Sequence, residues 1–270
     1  MSAFQDGLLK DKLAVITGGG SGINLRIAER FAQQGAKLAL IGRKQEKLDA
    51  AVQGIAKLGA SAIGLSADVR DYPAVERVMK EIRERFGEID ILVCGAAGNF
   101  PATATGMSAN AFKSVVDIDL LGTFNACRAA YEHLRKPGAV IINISAPQAF
   151  TPMPLQSHVC AAKAGVDMIT RTLAIEWGPD GIRVNSIVPG PIDDTEGMKR
   201  LAASAEVKNT LLASIPLRRL GGKDDIAELA LFLASESSAY ISGTVMVCDG
   251  GQSLLGSGPW VQGLAFGVRK

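Results

Sequence analysis

A lysine and an aspartate lie four residues apart in a stretch that is typical of a helix. Lys163 and Asp167 occur in "QSHVCAAKAGVD", and side chains at this spacing share one helix face. A cation and an acid placed together can order a water molecule that delivers a proton. The same pair is also an ordinary structural ion pair, so both interpretations of Asp167 stay open.

Two more titratable residues stand in largely apolar surroundings. Asp119 lies in "VVDIDLLG", where a carboxyl group is costly to bury unless it is paired or protonated. Asp117 lies two residues away, off that face, and we predict a structural role for it. His158 could donate a hydrogen bond to a carbonyl-type oxygen, although a structural histidine is an equally good interpretation. Ser145 and Gln148 are further candidates for polar residues that line the site.

A glycine-rich stretch is suited to bind the phosphates of a dinucleotide. "VITGGGSGIN" joins a strand-like apolar run to a helical pattern. Gly18 permits a tight turn, and Gly22 lets the backbone approach a pyrophosphate at the helix N-terminus. Asn24 stands where a glycine usually allows close packing of helix and strand, so we expect weaker cofactor binding rather than none. The other predicted contacts in this turn are Gly20, Ser21 and Ile23.

The second strand-like run ends in basic residues instead of an acid. "LALIGRK" places Arg43 and Lys44 where a carboxylate would hold a ribose 2′-hydroxyl. A guanidinium binds a 2′-phosphate bidentately, so the pattern predicts NADP rather than NAD. The alternative is that Arg43 is an ordinary surface residue. Asp68 and Val69, in "SADVR" at the end of the third strand-like run, are placed to meet the adenine.

The elements that hold these residues alternate along the whole chain. Apolar runs such as "KLAVITGG", "IDILVCGAAG" and "GTVMVCDGG" alternate with helical patterns such as "EKLDAAVQGIAKLGA". This alternation predicts a parallel sheet covered by helices on both faces. We therefore predict a single α/β domain over residues 1–270, with a Rossmann-type doubly wound sheet of about seven strands.

Composition excludes several functional classes. A net charge of +2 is too small to indicate nucleic-acid binding, and no apolar run is long enough to span a membrane. No metal site is predicted, because the four cysteines lack metal-ligand spacing. We expect buried, reduced thiols in a cytoplasmic protein. The N-terminal "MSAFQDGLLKDK" is unlike a signal peptide, and "FGVRK" lacks a peroxisomal tripeptide.

These motifs together resemble the short-chain dehydrogenase/reductase family over nearly the whole chain. The resemblance rests on "TGGGSGI", "SADVR", the lysine helix, "IRVNSIVPGPI" and "GTVMVCDGG". Typical members use an asparagine, a serine, a tyrosine acid/base and a lysine that grips the nicotinamide ribose. The resemblance puts Lys163 at the lysine, Asp119 at the asparagine, Ala146 at the serine and Val159 at the tyrosine, so it implies a functional role for Asp119. It also implies cofactor contacts at Gly98, Pro189, Gly190 and Ile192. Because valine cannot donate a proton, the resemblance argues against ordinary carbonyl reduction. Ser145 is one position away and is expected to point to the other face of its strand.

One branch of that family, the 2,4-dienoyl-CoA reductases, tolerates this loss. The chain is similar to that branch, especially to its peroxisomal type, in "CGAAGNF", "NAFKSVVDIDLLGTFN" and "SHVCAAKAGVDMITRTLAIEWGP". The similarity includes the acid at Asp167 and the histidine at His158. The resemblance implies that NADPH gives a hydride to the far end of a conjugated dienoyl thioester. A proton is then added near the thioester. No alkoxide forms, so no tyrosine is needed to protonate one.

The substrate is accordingly expected to be an acyl-CoA thioester. Phe100 could pack against the acyl chain, and Arg70 could meet the phosphates of CoA. Ser108 and Asn110 open the long helix, where a helix cap is the alternative to a ligand contact. The segment from about residue 193 to 217 is expected to be a mobile lid over the substrate. The resemblance further implies a homotetramer in which long central helices pair between subunits.

Two other functions remain open. A non-catalytic NADP-binding sensor or scaffold would account for the missing tyrosine and serine. A carbonyl or 3-ketoacyl reductase could use His158 as its acid. Replacing His158 with alanine should abolish that second activity while only weakening dienoyl reduction.

Overall fold

The computed structural model describes residues 4–195, 198 and 205–255 of the chain. Seven strands form one sheet: β1 (Leu13–Thr17), β2 (Lys37–Gly42), β3 (Ala62–Ser66), β4 (Ile91–Cys94), β5 (Val140–Ile144), β6 (Arg183–Pro189) and β7 (Val245–Cys248). Their order is β3-β2-β1-β4-β5-β6-β7, and every neighbouring pair is parallel. The predicted Rossmann-type α/β sheet is confirmed.

The central strands are apolar because both of their faces are covered. All residues of β1, β4 and β5 are buried, as expected for parallel strands between two helical layers. Side chains of alternating residues enter opposite cores, so Ile16 joins one cluster and Val15 the other. Sequence and fold therefore agree on where the two apolar layers lie.

Helices cover both faces of the sheet. Those of the described residues are α1 (Gly22–Gln33), α2 (Gln45–Ala56), α3 (Tyr72–Phe86), α4 (Ala109–Val116), α5 (Gly122–Ala130), α6 (Ser157–Trp177), α7 (Ala205–Ala213) and α8 (Lys223–Ala234). The first core packs α1, α2 and α8 on one face, with Phe31 and Leu231 among its buried residues. The second core packs α3, α5 and α6 on the other face, with Met79 and Leu173.

The predicted long central helix has a widened turn in its middle. The pattern predicts one helix through "NAFKSVVDIDLLGTFNACRAAYEHL", whereas α4 and α5 are joined by a π-helical turn at Asp117–Leu121. Such a turn inserts one extra residue into the helical ladder and occurs frequently at functional sites. It brings Asp119 to a position where only 1% of the residue is exposed.

The sheet order reverses between β1 and β4, which run parallel beside each other. In open α/β sheets, ligands bind in the crevice outside the carboxyl ends of the strands at this point. The predicted cofactor turn after β1 and the "CGAAG" segment after β4 both end here.

The described structure also bears on three expectations from the sequence: a membrane span, the cysteines and the lid. No helix in the described ranges is long and apolar enough to cross a membrane. All four cysteines are free, and Cys94 and Cys127 are buried as expected. Cys160 in α6 and Cys248 on the edge strand β7 are only half-buried, so the expectation of four buried thiols is wrong for these two. The predicted lid lies partly outside the described residues, and its described part contains α7.

Candidate active site

A cavity of about 470 Å³ lies at the switch point of the sheet. It is lined from the β1–α1 turn by the predicted residues Gly18, Gly20, Ser21, Gly22 and Ile23, and from the ends of β2 and β3 by Arg43, Asp68 and Val69. Gly190 and Ile192 line a separate cavity beside β7. Pro189 ends β6. The backbone amide of Gly98 donates a hydrogen bond to the carboxylate of Asp119.

The β1–α1 turn has the features that a pyrophosphate requires. Gly18 and Gly22 have φ angles of 70° and 63°, which favour glycine. A Cβ on Gly22 would meet nothing within 4 Å, so the space over this residue is open. Ser21 makes no side-chain cap to α1, and the first turn carries no acid, so its N–H groups are available to an anion. The turn therefore fits a dinucleotide.

Cations surround the end of the cavity at β2. Arg43, Lys44 and Lys47 all line it. Among the described residues, none of the three forms an ion pair within 4.0 Å. Lys47 is not among the residues predicted from the sequence. Its signal there is its position four residues after Arg43, at the start of a helix.

Asp68 and Arg70 are bound to each other at the adenine end. Arg70 Nε and Nη2 donate to the Asp68 carboxylate at 3.0 and 2.6 Å. The Arg70 hydrogen bond lowers the pKa of Asp68, although partial burial opposes the shift. These donors would have to leave Asp68 before Arg70 could hold the phosphates of CoA.

A buried ion pair joins the π turn to α6. Lys163 Nζ lies 3.3 Å from Asp119 Oδ2, and both side chains are almost fully buried. Lys163 also donates to the carbonyl of Ile144 at 2.9 Å, and Asp119 Oδ1 accepts from the amide of Gly98 at 2.7 Å. Each charge therefore has a second polar partner, which a buried pair needs in order to be tolerated.

Asp167 points toward β6 instead of forming the site's ion pair. Its Oδ1 accepts from Ser186 Oγ at 3.1 Å, and the residue is 4% exposed. Burial raises the pKa of Asp167 above 3.8, while the nearby hydroxyls of Ser145 and Ser186 act in the opposite direction. Ser145 therefore lies on the α6 side of the sheet, beside Asp167. The carboxylate that contacts Lys163 is that of Asp119.

His158 is fully buried and has unpaired polar atoms. Its ring packs on Phe100 with 4.5 Å between centroids. Neither ring nitrogen has a hydrogen-bond partner among the described residues. Gln148 donates to Gln156 at 2.7 Å, but its own Oε1 is also buried without a partner there. Buried polar atoms of this kind are rare in proteins, and they are expected to face a ligand or water.

The remaining predicted residues differ in how they are used. Ser108 accepts from the amide of Ala111 at 3.1 Å, which makes it the N-cap of α4. Asn110 is exposed on the first turn of α4. Val159, at the expected tyrosine position, is 3% exposed and fills an apolar place. Thr195, from the start of the predicted lid, lines the cavity and was not identified from the sequence.

No three metal-ligating side chains come together in the parts of the chain that the structure describes. The arrangement instead offers a dinucleotide cradle, a buried lysine–carboxylate pair and unpaired polar groups nearby. Such a site is suited to hydride transfer from a bound dinucleotide.

The chain is similar to known reductases over most of its length. A family profile described as Enoyl-(Acyl carrier protein) reductase matches residues 18–253. A peroxisomal 2,4-dienoyl-CoA reductase of Arabidopsis thaliana is 46% identical over 93% of this chain and 87% of its own. A peroxisomal 2,4-dienoyl-CoA reductase of Rattus norvegicus is 48% identical over 92% and 86%. A probable 2,4-dienoyl-CoA reductase of Bacillus subtilis is 39% identical over 91% and 98%.

Solved structures share the fold. A short chain dehydrogenase from Bacillus anthracis has a TM-score of 0.82 and 40% identity, over 90% of this chain and 97% of its own. A gluconate 5-dehydrogenase from Burkholderia cenocepacia, in complex with NADP and tartrate, has a TM-score of 0.87 and 29% identity, over 92% and 98%.

Proposed function

The chain belongs to the short-chain dehydrogenase/reductase family, and we propose that it is an NADPH-dependent 2,4-dienoyl-CoA reductase. One observation carries the proposal. The buried pair of Lys163 and Asp119 stands beside the cofactor cavity, while the residue four positions before the lysine is a buried valine. This combination keeps the group that holds the cofactor and lacks the group that protonates an alkoxide. Relatives with 2,4-dienoyl-CoA reductase names support the same substrate class.

The cofactor proposal is NADP rather than NAD. Bound NADPH supplies a hydride to the distal carbon of the conjugated thioester. The amides at the N-terminus of α1 bind its pyrophosphate. Arg43 receives the 2′-phosphate, with Lys44 and Lys47 beside it at the same end of the cavity. Asp68, although acidic, is neutralised by Arg70.

Lys163 orients the cofactor and supplies a positive charge at the reaction site, and Asp119 holds Lys163 in place. The ammonium of Lys163 holds the ribose of the cofactor and places a positive charge near the oxyanion that develops on the thioester. Asp119 fixes the lysine through their contact and ties it to the Gly98 loop. Because the developing charge is delocalised over a dienolate, stabilisation by a cation and by hydrogen bonds replaces proton donation to oxygen.

The proton that completes the reduction reaches the dienolate with the help of buried polar groups near Lys163. Asp167 has a raised pKa because of burial, so it can hold a proton at higher pH than an exposed aspartate. Neither ring nitrogen of His158 has a hydrogen-bond partner within the described part of the chain, so one of them can donate to the thioester oxygen. We propose that a water ordered near Lys163 and Asp167 delivers the proton, with His158 as the hydrogen-bond donor.

The substrate lies over Phe100, whose ring packs on His158. The acyl chain extends from there toward the predicted lid, and Ser108 and Asn110 stand at the exposed start of α4. Protonation next to the thioester yields a 3-enoyl product. The relatives from Arabidopsis and Rattus carry "(3E)-enoyl-CoA-producing" in their names, whereas the relative from Bacillus carries "(2E)-enoyl-CoA-producing".

NADPH oxidation by the purified protein tests the proposal. Three substrates are compared: a medium-chain 2,4-dienoyl-CoA, a simple 2-enoyl-CoA and a 3-ketoacyl-CoA. We expect turnover of the dienoyl substrate alone, and only partial loss of it in His158→Ala. Turnover of the ketoacyl substrate, abolished by the same substitution, would favour a carbonyl reductase. NADPH binding without turnover of any of them would favour a sensor or scaffold.

We further propose a homotetramer. Leu121, Phe124 and Met168 are exposed apolar residues around a groove of about 540 Å³ between the central helices. Covering this groove with the same helices of a second subunit would bury it. Light scattering on the purified protein tests the assembly, and Phe124→Glu should reduce the mass to that of smaller species.

For the compartment, the proposal remains the cytoplasm. Four free thiols fit a reducing compartment. Several relatives carry "peroxisomal" in their names, so imaging of the protein in its own cells decides between the two. Co-localisation with a peroxisomal marker would overturn the proposal.

A further inference from the structure

The amide of Asn24 links the two backbone segments that meet at the switch point. Asn24 lies in the first turn of α1 and lines the cofactor cavity. Its Nδ2 donates to the carbonyl of Gly95 at 2.7 Å and lies 3.5 Å from the carbonyl of Gly18. Gly18 belongs to the β1–α1 turn, and Gly95 directly follows β4. One side chain therefore contacts both walls of the cavity.

Gly95 provides the space that this side chain occupies. A Cβ on Gly95 would lie 2.1 Å from Oδ1 and 2.4 Å from Cγ of Asn24, far closer than atoms can approach. Gly95 does not have a positive φ angle, since the positive-φ glycines of the described chain do not include it. Space, and not backbone conformation, is what requires glycine at this position.

The side chain of Asn24 is closely packed against Gly18 as well as against Gly95. A Cβ on Gly18 would lie 2.9 Å from Asn24 Nδ2 and 3.0 Å from the backbone of Ala96. Asn24 Oδ1 is buried and has no hydrogen-bond partner among the described residues. The side-chain amide of Asn24 is thus enclosed between Gly18 and Gly95. Its Nδ2 donates a hydrogen bond, and the two glycines leave room for it because they have no side chains.

We propose that Asn24 is a positioning residue for the cofactor and that Asn24 and Gly95 act as one unit. The link holds the phosphate-binding turn at a fixed distance from the end of β4, so affinity for the dinucleotide depends on it. The sequence predicts that Asn24 weakens binding, because it shows the larger side chain but not the glycine that accommodates it. The inference rests on the proposed function only in taking the cavity to hold NADPH.

A double-mutant cycle on NADPH binding tests the unit. The variants are Asn24→Gly, Gly95→Ala and the combination, with dissociation constants measured by NADPH fluorescence and KM and kcat measured beside them. Gly95→Ala should raise the dissociation constant by roughly tenfold or more, because the methyl group displaces the amide. In the combination the methyl group meets no asparagine, so most of that loss should be recovered. KM for NADPH should change in these variants while kcat stays near its original value.

Two further variants test whether the hydrogen bond from Asn24 is needed and whether any added methyl group weakens NADPH binding. Asn24→Asp keeps the shape but sets a carboxylate against the Gly95 carbonyl, so it should weaken NADPH binding by roughly tenfold. Gly54→Ala is the control for an added methyl group, since its Cβ would meet nothing within 4 Å. It should leave NADPH binding unchanged.

Hydrogen exchange of the cofactor-free protein keeps the test independent of the proposed function. Asn24→Gly should speed exchange of the amides in residues 18–23 and 95–97, because the link between them is gone. The inference is overturned if exchange there is unchanged, if Asn24→Asp binds NADPH like the original protein, or if the losses in the double variant simply multiply. Absence of NADPH binding in the original protein would count against the proposed function, and the exchange result would still decide the inference.

Discussion

Lys163 Nζ lies 3.3 Å from Asp119 Oδ2, and this contact joins helix α6 to the π turn between α4 and α5. The two residues come from helices that pack on the same face of the sheet. Since both side chains are almost fully buried, the contact is maintained without competition from solvent. The proposed reaction site is therefore centred on a lysine and a carboxylate, with a buried valine four residues before the lysine.

Removing the charge of Asp119 should damage both stability and activity. In Asp119→Asn the amide oxygen can still accept from Gly98, but Lys163 is left as a buried cation without its carboxylate. We expect a loss of about 3 kcal/mol in the free energy of unfolding and a fall in kcat for the dienoyl substrate of roughly tenfold or more. Urea denaturation and NADPH oxidation at pH 7 measure the two effects.

Asp117→Asn is the matched control for that variant. Asp117 pairs with Lys113 across one exposed helical turn, and the lysine side chain is 69% exposed. Such pairs contribute about 0.5 kcal/mol or less. If both substitutions had the same small effect, the Lys163–Asp119 pair would not have the role given to it.

Cofactor choice should depend on the basic end of the cavity. Arg43→Ala should raise KM for NADPH about tenfold and leave KM for NADH nearly unchanged, because only NADPH carries the 2′-phosphate. Lys47→Ala should act in the same direction with a smaller effect. Lys57→Ala, on an exposed residue just beyond α2, is the control. Equal effects of Arg43→Ala on both cofactors would contradict the assignment.

Substituting Arg70 tests whether this residue contributes to binding of the cofactor or of CoA. The sequence predicts a contact with the phosphates of CoA, whereas its guanidinium is bound to Asp68 beside the cofactor cavity. We expect Arg70→Ala to raise the pKa of Asp68, leave an unneutralised acid there, and raise KM for NADPH several-fold. A rise in KM for the dienoyl-CoA alone would support the CoA contact instead. Stability should change by less than about 0.5 kcal/mol, because the pair is largely exposed.

The raised pKa of Asp167 predicts a pH dependence of stability. The folded protein keeps the Asp167 proton at pH values where the unfolded chain, with an ordinary pKa near 3.8, has released it. Stability from this group is therefore present at low pH and is lost as pH rises through the folded pKa. Relative to Asp167→Asn, the original protein should become less stable as pH rises from about 4 in urea denaturation. Ser186→Ala removes an opposing hydrogen bond and should extend the loss to higher pH; an unchanged difference across pH would contradict this account.

Restoring the expected tyrosine should not restore carbonyl chemistry. Val159 is 3% exposed, so Val159→Tyr overfills a packed position and should cost about 1–3 kcal/mol of stability. Ala146 offers no hydroxyl to hold a carbonyl oxygen, so no 3-ketoacyl-CoA reduction is expected. Ser157→Tyr, on an exposed residue of the same helix turn, is the control for the added ring. Measurable ketoacyl turnover in Val159→Tyr would show that the remaining site still supports carbonyl reduction.

The sequence predicts the fold well because its signals are local. Apolar strand runs, helical spacing and the glycine turn after β1 each depend on short stretches, and the structure contains all three. The sequence predicts the long central helix without its π turn. Nothing in the five residues "DIDLL" distinguishes a π-helical turn from an α-helical one.

Contacts between distant residues could not be predicted in the same way. Asn24 and Gly95 are 71 residues apart, and only the register of β1 beside β4 brings them together. Cys94 and Cys127 likewise approach to 3.7 Å between sulfur atoms without any sequence signal. The Asp68–Arg70 pair is close in sequence, but the direction of the arginine side chain depends on the surface around it.

The most direct test of the central claim follows the hydride itself. The purified protein is given NADPH with deuterium at the transferable position, together with a 2,4-dienoyl-CoA, and the product is examined by mass spectrometry and NMR. The account predicts one deuterium on the distal carbon of the former diene and a proton from water beside the thioester. No label in the dienoyl chain, together with deuterium on the carbinol carbon of a 3-hydroxyacyl-CoA formed from a 3-ketoacyl-CoA in a parallel reaction, would contradict it.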